Sequence, residues 1–246
     1  MPQNSQSSFS FFGGPVTRTV KLLIAANVAV FLLHVVELIL HTDVLDALFG
    51  LTPRRVTQNF EVWRFVTYMF LHGGPFHLFF NMLTLFMFGN DLERYWGRRR
   101  FLNYYFVTGI GAGVCSWLVD MQGNATIIGA SGAIYGLLLA YGLLYPNRIV
   151  YLNFLIPVKV KYLVLFMGFV AFYSSIAESQ GGVAHIAHLG GMLVGYLYLK
   201  SKDYLSQYHV YHEQRRRAAL KRQFEIYYPE LRRKIEDENK KGPTIH

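Results

Sequence analysis

Six apolar runs, separated by polar or charged turns, restrict the fold of this chain more than any other feature. The hydrocarbon core of a bilayer is about 30 Å thick, and about 20 helical residues are needed to cross it. Runs near this length recur along the sequence, and the fifth is the shortest. They cover residues 20–40, 76–95, 101–121, 127–145, 161–173 and 183–199. The sequence therefore predicts an all-α, polytopic membrane protein with six transmembrane helices.

The amount and placement of charge support this prediction. Only 16% of the 246 residues are charged, whereas soluble domains carry about a quarter. The net charge of +9 could suggest a nucleic-acid partner, but half of the 24 lysines and arginines lie from Lys200 onwards, and residues 98–100 are all arginine between two apolar runs. Basic segments beside apolar spans are typical of membrane proteins. We therefore expect a lipid bilayer as partner, and no nucleic acid.

The distribution of lysine and arginine also predicts the orientation. Six spans place both termini on one side, and every lysine and arginine except Arg54, Arg55 and Arg64 falls on that side. The positive-inside rule makes it cytoplasmic, and the compact layout favours the inner membrane of a bacterium. The first run is too long for a signal peptide and lacks a small-residue cleavage site. The predicted domains are a cytoplasmic N-terminal segment (1–19), a six-helix membrane domain (20–199) and a basic cytoplasmic C-terminal tail (200–246).

Three connections differ from simple turns. Residues 41–75 are too long for a turn between helices and contain Leu, Phe and Trp, which predicts an ordered loop at the membrane surface. Residues 149–157 are apolar but interrupted by Pro157, so an earlier start of the fifth helix is left open. Residues 174–182 are small and polar, which predicts a loop before the last helix.

Few polar side chains lie within the apolar runs, and each is a functional candidate because burying a polar group in a bilayer is costly. Helices two, four and six all enter from the outer side, so these side chains share a similar depth. The candidates are His77, Asn81, Ser131, His185 and His188. Seen alone, a membrane serine is most often a packing residue. A lone membrane histidine forms an interhelical hydrogen bond about as often as it has a functional role. Their combination is the informative signal.

Glycine spacing predicts how Ser131 and His188 meet. Small residues four apart let two membrane helices approach closely, and such pairs follow each of the two candidates. The pairs are Gly132 with Gly136, and Gly191 with Gly195. If the two faces pack together, the His188 imidazole reaches the Ser131 hydroxyl, and a serine becomes a good nucleophile only when a nearby base takes its proton. The soluble GxSxG elbow is not matched, because Ala133 replaces the last glycine and no strand precedes it.

His77 and Asn81 are four residues apart and therefore share one helix face. Both can donate a hydrogen bond to an oxygen that becomes negatively charged during a reaction, as an oxyanion hole requires. A solvated helix cap would explain His77 but explains Asn81 poorly. No carboxylate or thiol stands at ligand spacing from the histidines, so we expect neither a metal nor any other cofactor.

Together these motifs resemble the rhomboid family of intramembrane serine proteases over residues 63–195. Each motif is short, but their order and spacing make the combination specific. The matching residues are the Trp63-Arg64 pair, the His77-x-x-x-Asn81 motif, Glu93 where the family has a buried glutamate, the Gly129-Ala130-Ser131-Gly132 motif, and Ala187-His188 followed by Gly191 and Gly195.

The resemblance implies a role for each matching residue. Ser131 would be the nucleophile and His188 the base, in a dyad without an acid. His77, Asn81 and the Ser131 backbone amide would stabilise the oxyanion, and Tyr135 would stack on the His188 ring. His185, one turn from His188, competes for the role of base but lacks the following glycine spacing. Supporting roles fall to Tyr135, Gly129, Trp63 and Arg64.

The resemblance also implies a fold and an activity. The fold is a six-helix bundle with its long first loop half in the outer leaflet and residues 174–182 as a cap over the site. The activity is that of an intramembrane serine endopeptidase that cleaves single-pass transmembrane proteins near the outer face. The alternative is an inactive rhomboid-like protein that only binds transmembrane helices. A transporter fits poorly, because the spans contain almost no acidic residues and no paired broken helices. The sequence predicts no oligomeric state.

Overall fold

The protein is described by a computed structural model. It divides into two compact units, Met1–Tyr198 and Leu199–His246. The structure describes residues 15–152, 156–177 and 185–201, together with 228–229, 232–233 and 235–237. In the second unit every described residue is helical, and Arg232 Nε donates to Glu236 Oε1 at 3.1 Å, one turn further on.

The described chain up to residue 201 is mostly helical. Its longer helices are separated by short helical turns and, after the fourth long helix, by a two-stranded hairpin. In chain order the elements are α1 (Arg18–Leu40), α2 (Val44–Phe49), α3 (Pro53–Asn59), α4 (Arg64–Thr67), a 3₁₀ turn (Tyr68–Phe70), α5 (Pro75–Thr84), a π-helical turn (Leu85–Gly89), α6 (Asn90–Trp96), α7 (Arg98–Val119), α8 (Ser131–Leu144), β1 (Ile149–Leu152), β2 (Ile156–Lys159), α9 (Val160–Ala177) and α10 (185–201).

Three helices of the described chain are long and apolar enough to cross a membrane by length and composition. These are α1, α7 and α9, with mean hydropathies of 2.4, 1.2 and 1.7. Many of their large apolar side chains are exposed, for example Ile39 and Phe166. Such surfaces are stable in contact with lipid rather than water. Helix α8 is also apolar but only 14 residues long.

The second predicted span, 76–95, is helical but not uniform. Helices α5 and α6 are joined by the π-helical turn, which holds one extra residue per turn. Gly89 ends this turn where a Cβ atom would lie 3.2 Å from Val20 and 3.4 Å from Phe101. The sequence LFMFG is apolar throughout, so its periodicity cannot reveal the irregularity.

Glu93 in α6 fastens the start of α1. Its carboxylate is buried and accepts hydrogen bonds from the Val20 backbone amide at 3.2 Å, the Thr19 hydroxyl at 2.5 Å and the Thr17 hydroxyl. The first backbone amides of a helix have no intrahelical acceptor, and a negative charge is favourable beside them. Glu93 therefore serves as a cap supplied by a neighbouring helix.

The hairpin departs from the all-α prediction. The described residues of the run 149–157 do not extend α9; β1 pairs antiparallel with β2, so that Val150 lies opposite Val158 and Tyr151 opposite Pro157. The hairpin base is tied by backbone hydrogen bonds from Val160 to Arg148 at 2.9 Å and from Lys161 to Pro146 at 3.1 Å. An apolar run this short can be a strand or a helix, and periodicity alone does not separate them.

Two further predicted boundaries shift. The fourth run was expected to be helical from residue 127, but α8 begins at Ser131, because Ile127 instead pairs with Leu51 in an isolated bridge. Of the predicted loop 174–182, residues 174–177 form the last turn of α9. Residues 178–184, including the first two of the predicted sixth span 183–199, lie outside the described chain.

Candidate active site

Ser131 is the first residue of α8, and Ala130 is its N-cap. The first hydrogen bond of this helix runs from the Ile134 amide to the Ala130 carbonyl at 3.0 Å. The Ser131 amide precedes that bond and has no backbone acceptor within the described chain. Because amides at a helix N-terminus are unsatisfied and carry partial positive charge, this position combines a hydroxyl with a free backbone donor.

The side chains of Ser131 and His188 are hydrogen-bonded. The distance from Ser131 Oγ to His188 Nε2 is 2.7 Å, within the normal range for such a bond. The bond joins α8 to α10, across 57 positions of sequence. Since His188 can accept the hydroxyl proton through Nε2, the pair has the geometry required of a nucleophile and its base.

Tyr135 orients the histidine from one turn further along α8. The rings of Tyr135 and His188 are stacked, with centroids 4.3 Å apart and an interplanar angle of 1°. The second ring nitrogen of His188, Nδ1, is buried and has no hydrogen-bond partner among the residues that the structure describes. Within that part of the chain, ring stacking rather than a carboxylate therefore fixes the imidazole.

His185 lies beside His188 but not in its place. The two imidazole centroids are 5.6 Å apart and the rings are nearly perpendicular. The ring within hydrogen-bonding distance of Ser131 Oγ is that of His188. The geometry thus favours His188 over His185 as the partner of Ser131.

The glycine pairs pack differently from the prediction. Gly191 does meet Gly132, since a Cβ atom on Gly191 would lie 2.8 Å from the Gly132 carbonyl carbon. Gly136, however, faces α7, where its Cβ would lie 2.7 Å from Thr108 Cβ. Gly195 also faces α7, and a Cβ there would collide with the Tyr104 hydroxyl. Of the four glycines, Gly132 and Gly191 therefore meet between α8 and α10, and Gly136 and Gly195 contact α7 instead.

His77 and Gly129 contact each other near Ser131. Gly129 has a positive φ of 122°, and a Cβ atom there would lie 2.8 Å from both Cε1 and Nε2 of His77 and 3.8 Å from the Ser131 amide nitrogen. Glycine is required on both grounds, because the backbone conformation is unfavourable for L-residues and the space is taken. The His77 ring thus lies against the backbone that leads into Ser131.

Asn81 is buried one turn beyond His77 on α5. Its Nδ2 donates to the His77 carbonyl at 3.0 Å. A carboxamide carries two N–H donors, so one remains for another acceptor. Asn81 is thereby held on the His77 side of α5, as the i, i+4 spacing predicts.

Trp63 and Arg64 make their hydrogen bonds within the first connection and organise it. Arg64 is buried and donates to the carbonyls of Ala47 at 2.7 Å and of Gly50, and it pairs with Glu61. The half-exposed Trp63 donates its indole N–H to Leu48. A hydrogen bond from Asn59, together with the Arg64 guanidinium, holds the pKa of Glu61 below its usual range.

This connection supports the backbone that precedes Ser131. The residue after Gly50, Leu51, exchanges two backbone hydrogen bonds of 2.9 Å with Ile127. The Gly129 amide donates to the Tyr68 carbonyl at 2.9 Å. Arg64 therefore acts on the site indirectly, through the chain that positions residues 127–129.

His72 is a site residue that the sequence interpretation missed. It precedes α5, is completely buried, and its ring centroid lies 5.0 Å from that of His77. Burial, with a contribution from His77, lowers the pKa of His72 to about 4, so the ring is neutral near pH 7. Lying outside the apolar runs, it was not counted as a polar group within a span. The feature of the sequence that could have identified His72 as a site residue is its position five residues before His77.

Comparison with known proteins agrees with the motifs. The sequence model of the Rhomboid domain matches residues 59–201, more than half of the chain. The chain is 34% identical to RHOMBOID-like protein 5 of Arabidopsis thaliana over 149 residues, 60% of this chain and 46% of that protein, so it spans less than half of that relative.

Two bacterial relatives match over more of the chain. It is 30% identical to Rhomboid protease AarA of Providencia stuartii over 220 residues, 80% of this chain and 76% of that protein. It is 32% identical to Rhomboid protease GluP of Bacillus subtilis over 197 residues, 79% of this chain and 36% of that protein. The chain belongs to the rhomboid family.

Proposed function

We propose that the protein is an intramembrane serine endopeptidase in which Ser131 is the nucleophile and His188 the general base. The observation that carries this proposal is the 2.7 Å contact between Ser131 Oγ and His188 Nε2. The stacked Tyr135 ring adds to it, because a catalytic base must be held in a fixed orientation. Relatives named as rhomboid proteases support the same reading.

The reaction proceeds by acyl transfer. His188 Nε2 takes the hydroxyl proton as Ser131 Oγ attacks the scissile carbonyl, and the imidazolium then gives that proton to the leaving amine as the C–N bond breaks. Water next loses a proton to His188 and attacks the acyl ester, which releases the acid and returns the proton to Oγ. Both steps pass through an oxyanion, which receives hydrogen bonds from His77, Asn81 and the Ser131 amide.

The bundle crosses the membrane six times in this proposal. The six spans are α1, α5 together with α6, α7, α8, α9 and α10. Of these, α5 and α6 form a single span. At about 1.5 Å per residue, the 14 residues of α8 measure about 21 Å, less than the roughly 30 Å of the hydrocarbon core. With the end of α8 near the cytoplasmic surface, beside the Arg148–Asp91 ion pair of 2.8 Å, Ser131 lies below the outer surface.

The connection between α1 and α5 lies in the outer leaflet in this arrangement. Several of its apolar side chains are largely exposed, including Phe60 at 79% and Val62 at 61%. Exposed apolar side chains are stable beside lipid tails. The loop then frames the route by which water reaches Ser131.

Single-pass transmembrane proteins are the substrates in this proposal. A peptide bond within an intact helix is shielded, so only a locally extended segment can present its carbonyl to Ser131. Cleavage then falls near the outer face, at the depth of the hydroxyl. The reaction needs no cofactor.

The placement in the cell follows from charge. Residues 1–19 and the basic tail 200–246 lie in the cytoplasm and residues 20–199 form the membrane domain, because all lysines and arginines except Arg54, Arg55 and Arg64 then fall on the cytoplasmic side. We place the protein in the inner membrane of a bacterium. A protease added outside the reconstituted membrane tests the orientation. Cleavage within the tail from that side only would show that the tail lies on the outer side and would contradict the assignment.

The test of function is cleavage of a purified single-pass substrate in proteoliposomes. We expect a product cut near the outer end of the substrate helix with the natural protein, and none with Ser131→Ala at equal reconstitution. The alternative, an inactive protein that binds transmembrane helices, predicts that both proteins retain the substrate on co-purification and neither cuts it. Cleavage by Ser131→Ala at the natural rate would overturn the proposal.

A further inference from the structure

Among the described residues, His72 is a buried polar side chain beside the site whose chemistry the proposed function does not use. His72 lies between the 3₁₀ turn and α5 and is completely buried. Neither Nδ1 nor Nε2 has a hydrogen-bond partner within the described part of the chain. The Phe70 backbone makes a weak hydrogen bond that raises the pKa of His72 slightly, but no hydrogen bond of normal geometry reaches either nitrogen within the described chain.

Fold stability does not explain an imidazole at this position. A buried donor or acceptor without a partner costs free energy, because it loses its bonds to water and gains nothing in return. An apolar ring of similar size would fill the same space without that cost. Packing does not explain the nitrogens of His72, and what distinguishes them from the unpartnered Tyr105 hydroxyl is the contact of this ring with His77.

The neighbours of His72 suggest what that role is. Its ring meets the His77 ring at 63°, with centroids 5.0 Å apart, a tilted arrangement typical of aromatic pairs. Gly129 also contacts His77, where an added Cβ would lie 2.8 Å from the His77 ring atoms. The His77 ring is thus confined by the His72 ring and by the backbone that leads to Ser131.

We propose that His72 is a positioning residue that orients the His77 imidazole so that its N–H is directed at the oxyanion. This inference rests on the proposed function, because it assigns His72 a role only through His77. A neutral imidazole carries one N–H donor and one acceptor nitrogen, so it distinguishes between the two flips of the neighbouring His77 ring, which a benzene ring without nitrogens does not. Because the oxyanion exists only during the reaction, His72 acts on turnover and not on substrate binding.

The test is His72→Phe, which replaces the imidazole with another aromatic ring and so removes both nitrogens. We expect kcat to fall about five- to tenfold, as for the loss of one modest polar interaction, with KM within about twofold of the natural value and with a thermal midpoint that is equal or higher. The decisive readout is a double-mutant cycle with His77→Ala. In that background His72→Phe should cause no further loss.

Tyr105→Phe is the matched control, since it also removes a buried polar atom without a partner in the described chain, but from α7. It should leave kcat and KM unchanged. Natural turnover in His72→Phe, or losses that multiply with those of His77→Ala, would overturn the inference. If His72→Phe does not fold, His72→Leu is judged by the same criteria. Activity that survives Ser131→Ala would instead refute the proposed function, so the two failures are distinguishable.

Discussion

The imidazole of His188 lies parallel to the phenol ring of Tyr135, with 4.3 Å between ring centroids and 1° between ring planes. The stack leaves His188 Nε2 directed at Ser131 Oγ. In the proposed mechanism Tyr135 takes one of the two roles of the acidic residue in a triad, which is to hold the ring in the productive orientation.

This relationship predicts different outcomes for two changes at Tyr135. Tyr135→Phe keeps the stacked ring and should retain kcat within about threefold. Tyr135→Leu removes the ring and should lower kcat by about tenfold, given the roughly 0.5–1.5 kcal/mol that aromatic pairs contribute. Steady-state cleavage rates with folded protein measure both. Equal activity of the two variants would show that stacking does not hold the base.

The assignment of the base predicts unequal effects of the two neighbouring histidines. His188→Ala should lower cleavage by about 10²–10⁴-fold, the usual contribution of general base catalysis, and Ser131→Ala should abolish it. The double variant should be no worse than Ser131→Ala, because the two residues act as one unit. His185→Ala should retain clear activity. An inactive His185→Ala with an active His188→Ala would reverse the choice of base.

The oxyanion assignment predicts an intermediate loss. Asn81→Ala and His77→Ala should each lower kcat by about a hundredfold, the typical cost of one oxyanion donor. Thr84→Ala is the matched control on the same helix, since Thr84 also bonds to the carbonyl four residues back, at 2.8 Å. It should have natural activity. Full turnover in Asn81→Ala would assign its carboxamide to packing.

The sequence singled out polar side chains that the structure brings together, but it did not predict the backbone that presents them. His77, Asn81, Ser131 and His188 are polar in apolar surroundings, which makes them visible in a single sequence. The start of α8 at Ser131 was not visible, because it depends on the pairing of Ile127 with Leu51, 76 positions apart. Such long-range pairing leaves no periodic trace.

Local ambiguity accounts for the other differences. The hairpin at 149–159 and the π-helical turn at 85–89 are both apolar, and an apolar run does not distinguish a strand, a π turn and an α-helix. Gly136 and Gly195 carried the expected spacing but face Thr108 and Tyr104 of α7. Glycine spacing indicates that small residues line one face of a helix. It does not indicate which neighbouring helix packs against that face.

The glycine contact between α8 and α10 predicts a loss of both stability and activity. Gly191→Ala places a methyl group against the Gly132 carbonyl, so the helices must separate, at a cost of about 1–3 kcal/mol. The thermal midpoint in detergent should fall, and so should kcat, because the distance from Ser131 to His188 increases. Gly168→Ala on α9, whose Cβ would meet only Met192 at 3.6 Å, should be neutral. Equal midpoints for the two variants would contradict this packing.

The most direct test of the account is covalent labelling of Ser131. A fluorophosphonate reacts with an activated serine hydroxyl, forming an O–P bond and releasing fluoride, so labelling reports the nucleophile without a substrate. The purified protein is treated in detergent and the modified peptide is identified by mass spectrometry. The account predicts a single label on Ser131, strongly reduced in His188→Ala and absent in Ser131→Ala. Undiminished labelling of Ser131→Ala, with the probe on another residue, would contradict it.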